Sequence, residues 1–465
     1  MAHDGHDLAT RPTLSRSLNL PHAISLNVAN MVGVGPFITI PLMLKAMPGP
    51  QALIAWLVAG LLVLCDGLVW SELGAALPGS GGSYHFLKEI YGRMNPTWGR
   101  LIPFLFIWQF LFSGTCETAS AYIGALRYLE YAIPGLHDML VSWHVPRGSN
   151  TLAAVLALCV TFFLCRHIRV LGRVSLLFCA GILGALLLVI VSGLPDLHLE
   201  LLRVPEGTFS AANAPQFASG LGAAMTIAIY NYFGYYNICF LGDEVRDPGR
   251  TIPRAVISSL WVIGILYFLM TVAIIGVIPW EEAAKSDAVA ATVVDRVFGP
   301  RVATGFAWLV VGAALAGVFA MSLGYSRIPF AAARNGDFFK VFGTLHSAGF
   351  PVVSIVCLGL LTAGACYLPL DDVIDAAVAV RILVQFIGQI AGLHILRKTR
   401  PDVPLPFRMR LYPLPSLIAL VGWVFVLATQ KPFVLEVTLG ITLAGVPAFF
   451  IWQRLTRPQV PSPNV

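Results

Sequence analysis

The sequence predicts an all-α polytopic membrane protein with about 12 transmembrane helices. Three observations carry this. The 465-residue chain is 57% hydrophobic and only 12% charged, against roughly 25% charged in an ordinary soluble domain. Its apolar stretches repeatedly reach the ~20 residues a helix needs to cross the hydrocarbon layer, with charges confined between them. Lys and Arg also crowd into alternate connections, as the positive-inside rule requires. A large soluble helical enzyme does not fit apolar runs of this length.

Residues 1–19 are polar, with His3, His6, Arg11 and Arg16, and no short apolar region leads to a small-residue cleavage site. They read as a cytoplasmic tail and not as a signal peptide. Predicted spans follow over 20–46, 50–77, 97–131, 150–168, 172–194, 214–242, 252–279, 299–328, 351–369, 372–396, 411–430 and 433–454. The expected organisation is a ten-span core over 20–396, two additional spans within 397–454 and a Pro-rich cytoplasmic tail over 455–465. With both termini inside, about 21 basic residues fall on the inner side and about 8 on the outer. The expected location is the cytoplasmic (inner) cell membrane, crossed many times. The net charge of +6 is what basic inner loops produce and requires no nucleic acid.

Most of the eight cysteines lie in or at the ends of apolar segments, and none forms a C-x-x-C pair. They read as small buried residues, with no disulfide framework, metal site or cofactor implied. The outward loops between spans 6 and 8 hold no cysteine, so no disulfide-linked ancillary subunit is expected. The histidines are biased towards loops, and no His/Cys/carboxylate cluster has ligand or triad spacing. An intramembrane enzyme is therefore not expected.

Two spans are interrupted. The first reads "NMVGVGPFITIP" over Asn30–Pro41, with Gly33, Gly35 and Pro36 together in an apolar run. Each weakens a helix, and Pro36 also removes a backbone donor. The sixth reads "IAIYNYFGYYNICF" over Ile227–Phe240, with Gly234 among Tyr230, Asn231, Tyr232, Phe233, Tyr235, Tyr236 and Asn237. These spans open two successive groups of five, so the second group enters from the opposite side. Interrupted segments at matching places in inverted halves mark the binding site of a secondary transporter. Such breaks offer amide N–H groups to anions and carbonyls to cations, which suits a zwitterion. The alternative for the glycines is close helix packing. For the aromatic cluster it is core packing, with stacking over an ammonium group as the functional use.

Val32–Gly92 resembles the first two spans of the amino acid–polyamine–organocation transporters, in Gly33, Gly35, Pro41, Trp56, Glu72, Pro78, Gly81, Gly82 and Tyr84. Phe233–Ala255 is similar to the family's span 6, with Glu244, Pro248 and Pro253 in place, and Ser326–Ser354 and Leu396–Pro413 match two later loops. The resemblance implies an inverted five-plus-five repeat and alternating access around a midplane site. It places substrate contacts at the backbone of Gly33, Val34, Gly35 and Pro36 and at Tyr230, Phe233, Gly234 and Tyr235, with Tyr230 where members often have an aromatic gate; Asn231, in the same interrupted stretch, is a further candidate. Glu72 and Glu244, near the inner ends of spans 2 and 6, are expected to pair with arginines and bias the gate. Three positions depart from common members. Tyr236 stands where many have a carboxylate, Ile182 where some have a coupling lysine, and Pro36 where an apolar residue is usual.

Glu117 lies inside span 3, in "QFLFSGTCETASAYIGALRYL". A carboxylate at that depth is a functional hypothesis by default. The segment also resembles the plant-type polyamine/proton symporters. Glu117 is thus a candidate for binding a substrate ammonium, for carrying a coupled proton, or both. The structural alternative is hydrogen bonding to Thr115 or Thr118. Asp66 and Arg381 also lie within spans, without partners the sequence can choose. The expected function is proton-coupled or exchange transport of amino acids, with polyamines as the alternative substrate. A non-transporting nutrient sensor is the alternative of another class.

Overall fold

The computed structural model describes residues 16–95, 97–165, 171–346 and 350–456. Parts of both predicted tails (1–15 and 457–465), and Arg166 and Arg169 of the fourth connection, lie outside the described residues. Among the described residues there is no strand, only isolated bridges at Leu18–Val245 and Ser80–Leu241.

The membrane segments follow the predicted order. Span 1 is two helices, Leu20–Met31 and Gly35–Ala46, bent by 52° at the break. Spans 2 to 5 are Ala52–Ala76, Trp98–Ala132, Gly148–Leu164 and Leu171–Gly193. Span 6 is Ala214–Tyr232, continued past its break by short 3₁₀ turns at Asn237–Phe240 and Gly242–Glu244. Spans 7, 8 and 9 are Pro248–Val277, Pro300–Arg334 and Val352–Ala365. Span 10 runs Leu370–Arg381, through a π-helical stretch at Ile382–Ile387, to Gly388–Thr399. Spans 11 and 12 are Leu414–Ala428 and Pro432–Thr456. Span 2 alone, with 25 residues rising ~1.5 Å each, exceeds a ~30 Å hydrocarbon layer.

The packing has the symmetry that a repeat of five spans demands. Adding five to each number exchanges partners. The first half of span 1 packs on span 7, and span 6 packs on span 2. Span 5 packs on span 8, and span 10 packs on span 3. Spans 3 and 8 pack on each other, as do spans 4 and 9. The connecting helices obey the same rule. Ser83–Tyr91 lies against spans 3 and 10, and Val289–Phe298 lies against spans 8 and 5. Span 11 leans on span 2, and span 12 on spans 3 and 10.

Charges tie the ends together. Glu72, fully buried, accepts two hydrogen bonds from Arg397 at 2.6 and 2.7 Å and one from the Met409 amide at 2.9 Å. The expected pairing of Glu72 is thus present, and it joins span 2 to the end of span 10. The Glu244 carboxylate has no ion pair among the described residues. Its backbone carbonyl accepts from the Leu18 amide at 3.0 Å instead. On the same side, Asp337 accepts from Tyr84 at 2.5 Å and from Lys88 at 2.6 Å. Burial first, and then Asp337, raises the Tyr84 phenol above its ordinary pKa. At the opposite ends of the spans, Lys431 meets Asp371 at 2.5 Å and Asp372 at 2.8 Å.

Candidate substrate site

The first helix of span 1 closes with its last bonds near Val32, whose amide donates to Val28 at 2.8 Å. The Gly33 amide turns back to Met31 at 3.0 Å. The second helix restarts at Gly35 with Pro36 in its first turn, where a missing N–H breaks no helical bond. The amides of Val34 and Gly35 have no hydrogen-bond partner among the described residues. Pro36 therefore removes one donor at the break and leaves two. The two glycines differ in role. A Cβ on Gly33 would meet nothing within 4 Å, so Gly33 borders open space. A Cβ on Gly35 would lie 2.5 Å from Asn231 Oδ1, so Gly35 lets span 6 approach. The packing reading holds for Gly35 and not for Gly33.

Span 6 breaks beside it. Phe233 turns extended after the last helical residue. Gly234 has φ +108°, a left-handed conformation that only glycine adopts cheaply. A Cβ there would also lie 2.9 Å from Asn30 Cβ and 3.0 Å from the Asn30 carbonyl carbon. The break of span 6 is thus seated on the break of span 1.

The backbone groups freed by the breaks are satisfied from neighbouring spans, as a membrane interior requires. Asn27, fully buried, donates to the Tyr235 carbonyl at 2.6 Å and accepts from the Ile238 amide at 3.0 Å. Tyr267 of span 7 donates to the Met31 carbonyl at 2.7 Å. Tyr230 shares a hydrogen bond with Ser120 of span 3 at 2.6 Å. Asn231 donates to Thr39 at 3.0 Å and to the Ile227 carbonyl at 2.7 Å, and its Oδ1 has no partner among the described residues.

Glu117 is held by Arg381. Arg381 Nη2 donates to Glu117 Oε2 at 2.5 Å, Nη1 to Tyr236 at 3.1 Å and Nε to Ser113 at 3.0 Å. The guanidinium also lies over the Phe233 ring, 4.6 Å from its centroid. Thr115 and Thr118 do not hold Glu117; their hydroxyls donate to the carbonyls of Phe112 and Gly114. The π-helical stretch of span 10 starts directly after Arg381. Such bulges shift side chains off the helical register and are frequent at functional sites.

The assembled geometry is two interlocked broken helices with unpaired amides, next to a buried ion pair. Residues 18–447 of the chain match the family described as amino acid permease, which is more than nine-tenths of its length. The chain belongs to the amino acid permease family. It is similar to the large neutral amino acids transporter small subunit 2 of Homo sapiens, at 29% identity over 471 residues, covering 95% of this chain and 82% of that protein. It is similar to the cystine/glutamate transporter of Homo sapiens, at 28% identity, covering 96% and 87%. The Asc-type amino acid transporter 1 of Mus musculus is 26% identical, covering 95% and 82%.

Not every expected residue of the permease faces the breaks with its side chain. The Tyr235 hydroxyl is turned away, donating to Asp66 of span 2, which also accepts from Trp423 of span 11 at 3.1 Å. This gives Asp66 its partners and makes the cluster a tie between spans 2, 6 and 11. Tyr236 takes the place beside the break, stacked on Trp70 at 4.4 Å and bonded to Arg381. Sequence reading missed Asn27 and Tyr267. The available signal for Asn27 was an amide one turn before a helix break in an apolar segment.

Proposed function

We propose that this permease exchanges amino acids across the cytoplasmic membrane by alternating access, with the substrate held between the two breaks. The observation that carries the reading is the seating of Gly234 on Asn30, beside the unpaired amides of Val34 and Gly35. Those amides suit the substrate carboxylate, and the carbonyl end of the Ala214–Tyr232 helix suits its ammonium. Phe233 and Tyr230 wall the site, and the Tyr230–Ser120 bond joins span 6 to span 3 as the gate. Both termini lie in the cytoplasm in this reading, on the side rich in Lys and Arg.

Exchange is favoured over proton symport because Glu117, the candidate proton carrier, is engaged by Arg381. The same pairing counts against a polyamine as substrate, since the Glu117 charge is already balanced by Arg381.

A thermal-shift screen of the purified protein tests the substrate class. A ligand that binds only the folded state stabilises it by about 2.7 kcal/mol at a hundred times its Kd. Amino acids are expected to raise the apparent Tm, and putrescine is not. Stabilisation by putrescine alone reverses the substrate assignment. Stabilisation by neither removes the transport reading.

A further inference from the structure

The Glu117–Arg381 pair sits directly against Phe233, a residue of the break. The side chains of the two residues are 11% and 2% exposed. One face of the guanidinium rests on Phe233, a residue of the break itself, and Phe110 lies 5.4 Å from the same group. Its three nitrogens have Ser113, Tyr236 and Glu117 as partners. Three of its five N–H donors are thus committed to protein partners, one of them to the Glu117 carboxylate, and the pair has no net charge. A substrate side chain reaching this wall meets an aromatic ring backed by a closed ion pair.

We infer that the Glu117–Arg381 pair is the charge filter of the site, selecting substrates whose side chains are uncharged. An acidic side chain would have to displace Glu117 from Arg381. A basic one would have to displace Arg381 from Glu117. In a buried site each displacement leaves one protein charge without its partner, which costs far more than the exchange of surface charges. Discrimination therefore comes from what a wrong substrate would strand and not from a contact to the right one. Removing one member converts the filter. Without the Glu117 carboxylate, Arg381 is an open anion site. Without the Arg381 guanidinium, Glu117 is an open cation site.

This inference rests on the proposed position of the substrate, and its test separates the two. Proteoliposomes loaded with unlabelled leucine take up labelled leucine, and unlabelled competitors are added outside. On the unaltered protein, glutamine is expected to compete at least about tenfold better than glutamate, which has nearly the same shape and differs in charge. Glu117→Gln is expected to raise the glutamate-to-leucine uptake ratio about tenfold or more, and Arg381→Gln the lysine-to-leucine ratio by a similar factor. Size-exclusion profiles report whether each variant folds, and the glutamine–glutamate comparison needs no variant. Leucine exchange inhibited equally by glutamine and glutamate overturns the inference and leaves the transport reading standing. So do folded variants with unchanged ratios. Absence of exchange of any amino acid by the unaltered protein overturns the transport reading itself.

Discussion

Gly234→Val is expected to abolish amino acid exchange and to destabilise the fold by about 4 kcal/mol or more. Two costs add. A β-branched residue at φ +108° occupies a region open in practice to glycine, which costs up to about 3 kcal/mol. The added side chain would also start 2.9 Å from Asn30 and push against its backbone, an overpacking cost of about 1–3 kcal/mol. Asn30 lies in the last turn of the first span 1 helix, so relief would separate the two breaks. Gly33→Ala is the matched control. A Cβ there meets nothing within 4 Å, so its stability should stay within about 0.5 kcal/mol of the parent. Thermal unfolding of both variants checks the stability contrast, and labelled-leucine exchange checks the loss in Gly234→Val. Equal destabilisation by the two substitutions would mean that the breaks are not interlocked as described.

Asn27→Ala is expected to cost about 4 kcal/mol and most of the exchange activity. The side chain is fully buried and serves both a carbonyl and an amide of span 6. Alanine leaves the Tyr235 carbonyl and the Ile238 amide without their partner. A buried backbone group left unsatisfied costs about 1–3 kcal/mol, and the penalty is heavier where no water can substitute. The same substitution loosens span 1 from span 6. Activity should therefore fall further than in a variant of equal stability elsewhere, such as one in span 12. An apparent Tm and exchange rate within error of the parent would exclude Asn27 as the clasp of the two breaks.

The order of the spans and both breaks were legible in the sequence, because glycine and proline interrupt an otherwise continuous apolar pattern. Gly33–Pro36 and Phe233–Gly234 lie at the structural breaks. Glu117 was legible for a different reason, since a carboxylate at that depth is costly enough to need an explanation. Its partner was not legible. Arg381 is 264 residues away, and only the packing of span 10 on span 3 brings them together. The same limit applies to Tyr235. A tyrosine next to a break can face the substrate or a neighbouring span, and the choice depends on Asp66 and Trp423, which are distant in sequence. The two glycines of span 1 look alike as letters. They differ only in what stands opposite them, open space for one and Asn231 for the other. Asn27 was hidden because its partners are backbone groups that exist as free acceptors and donors only once span 6 has broken.

Counterflow of labelled leucine into proteoliposomes containing the unaltered protein tests the central claim most directly. The expected result is saturable uptake that depends on leucine inside the vesicle, with no uptake into empty vesicles when only a pH gradient is imposed. Uptake into empty vesicles driven by the pH gradient, or no uptake of any amino acid under either condition, would contradict exchange at the paired breaks.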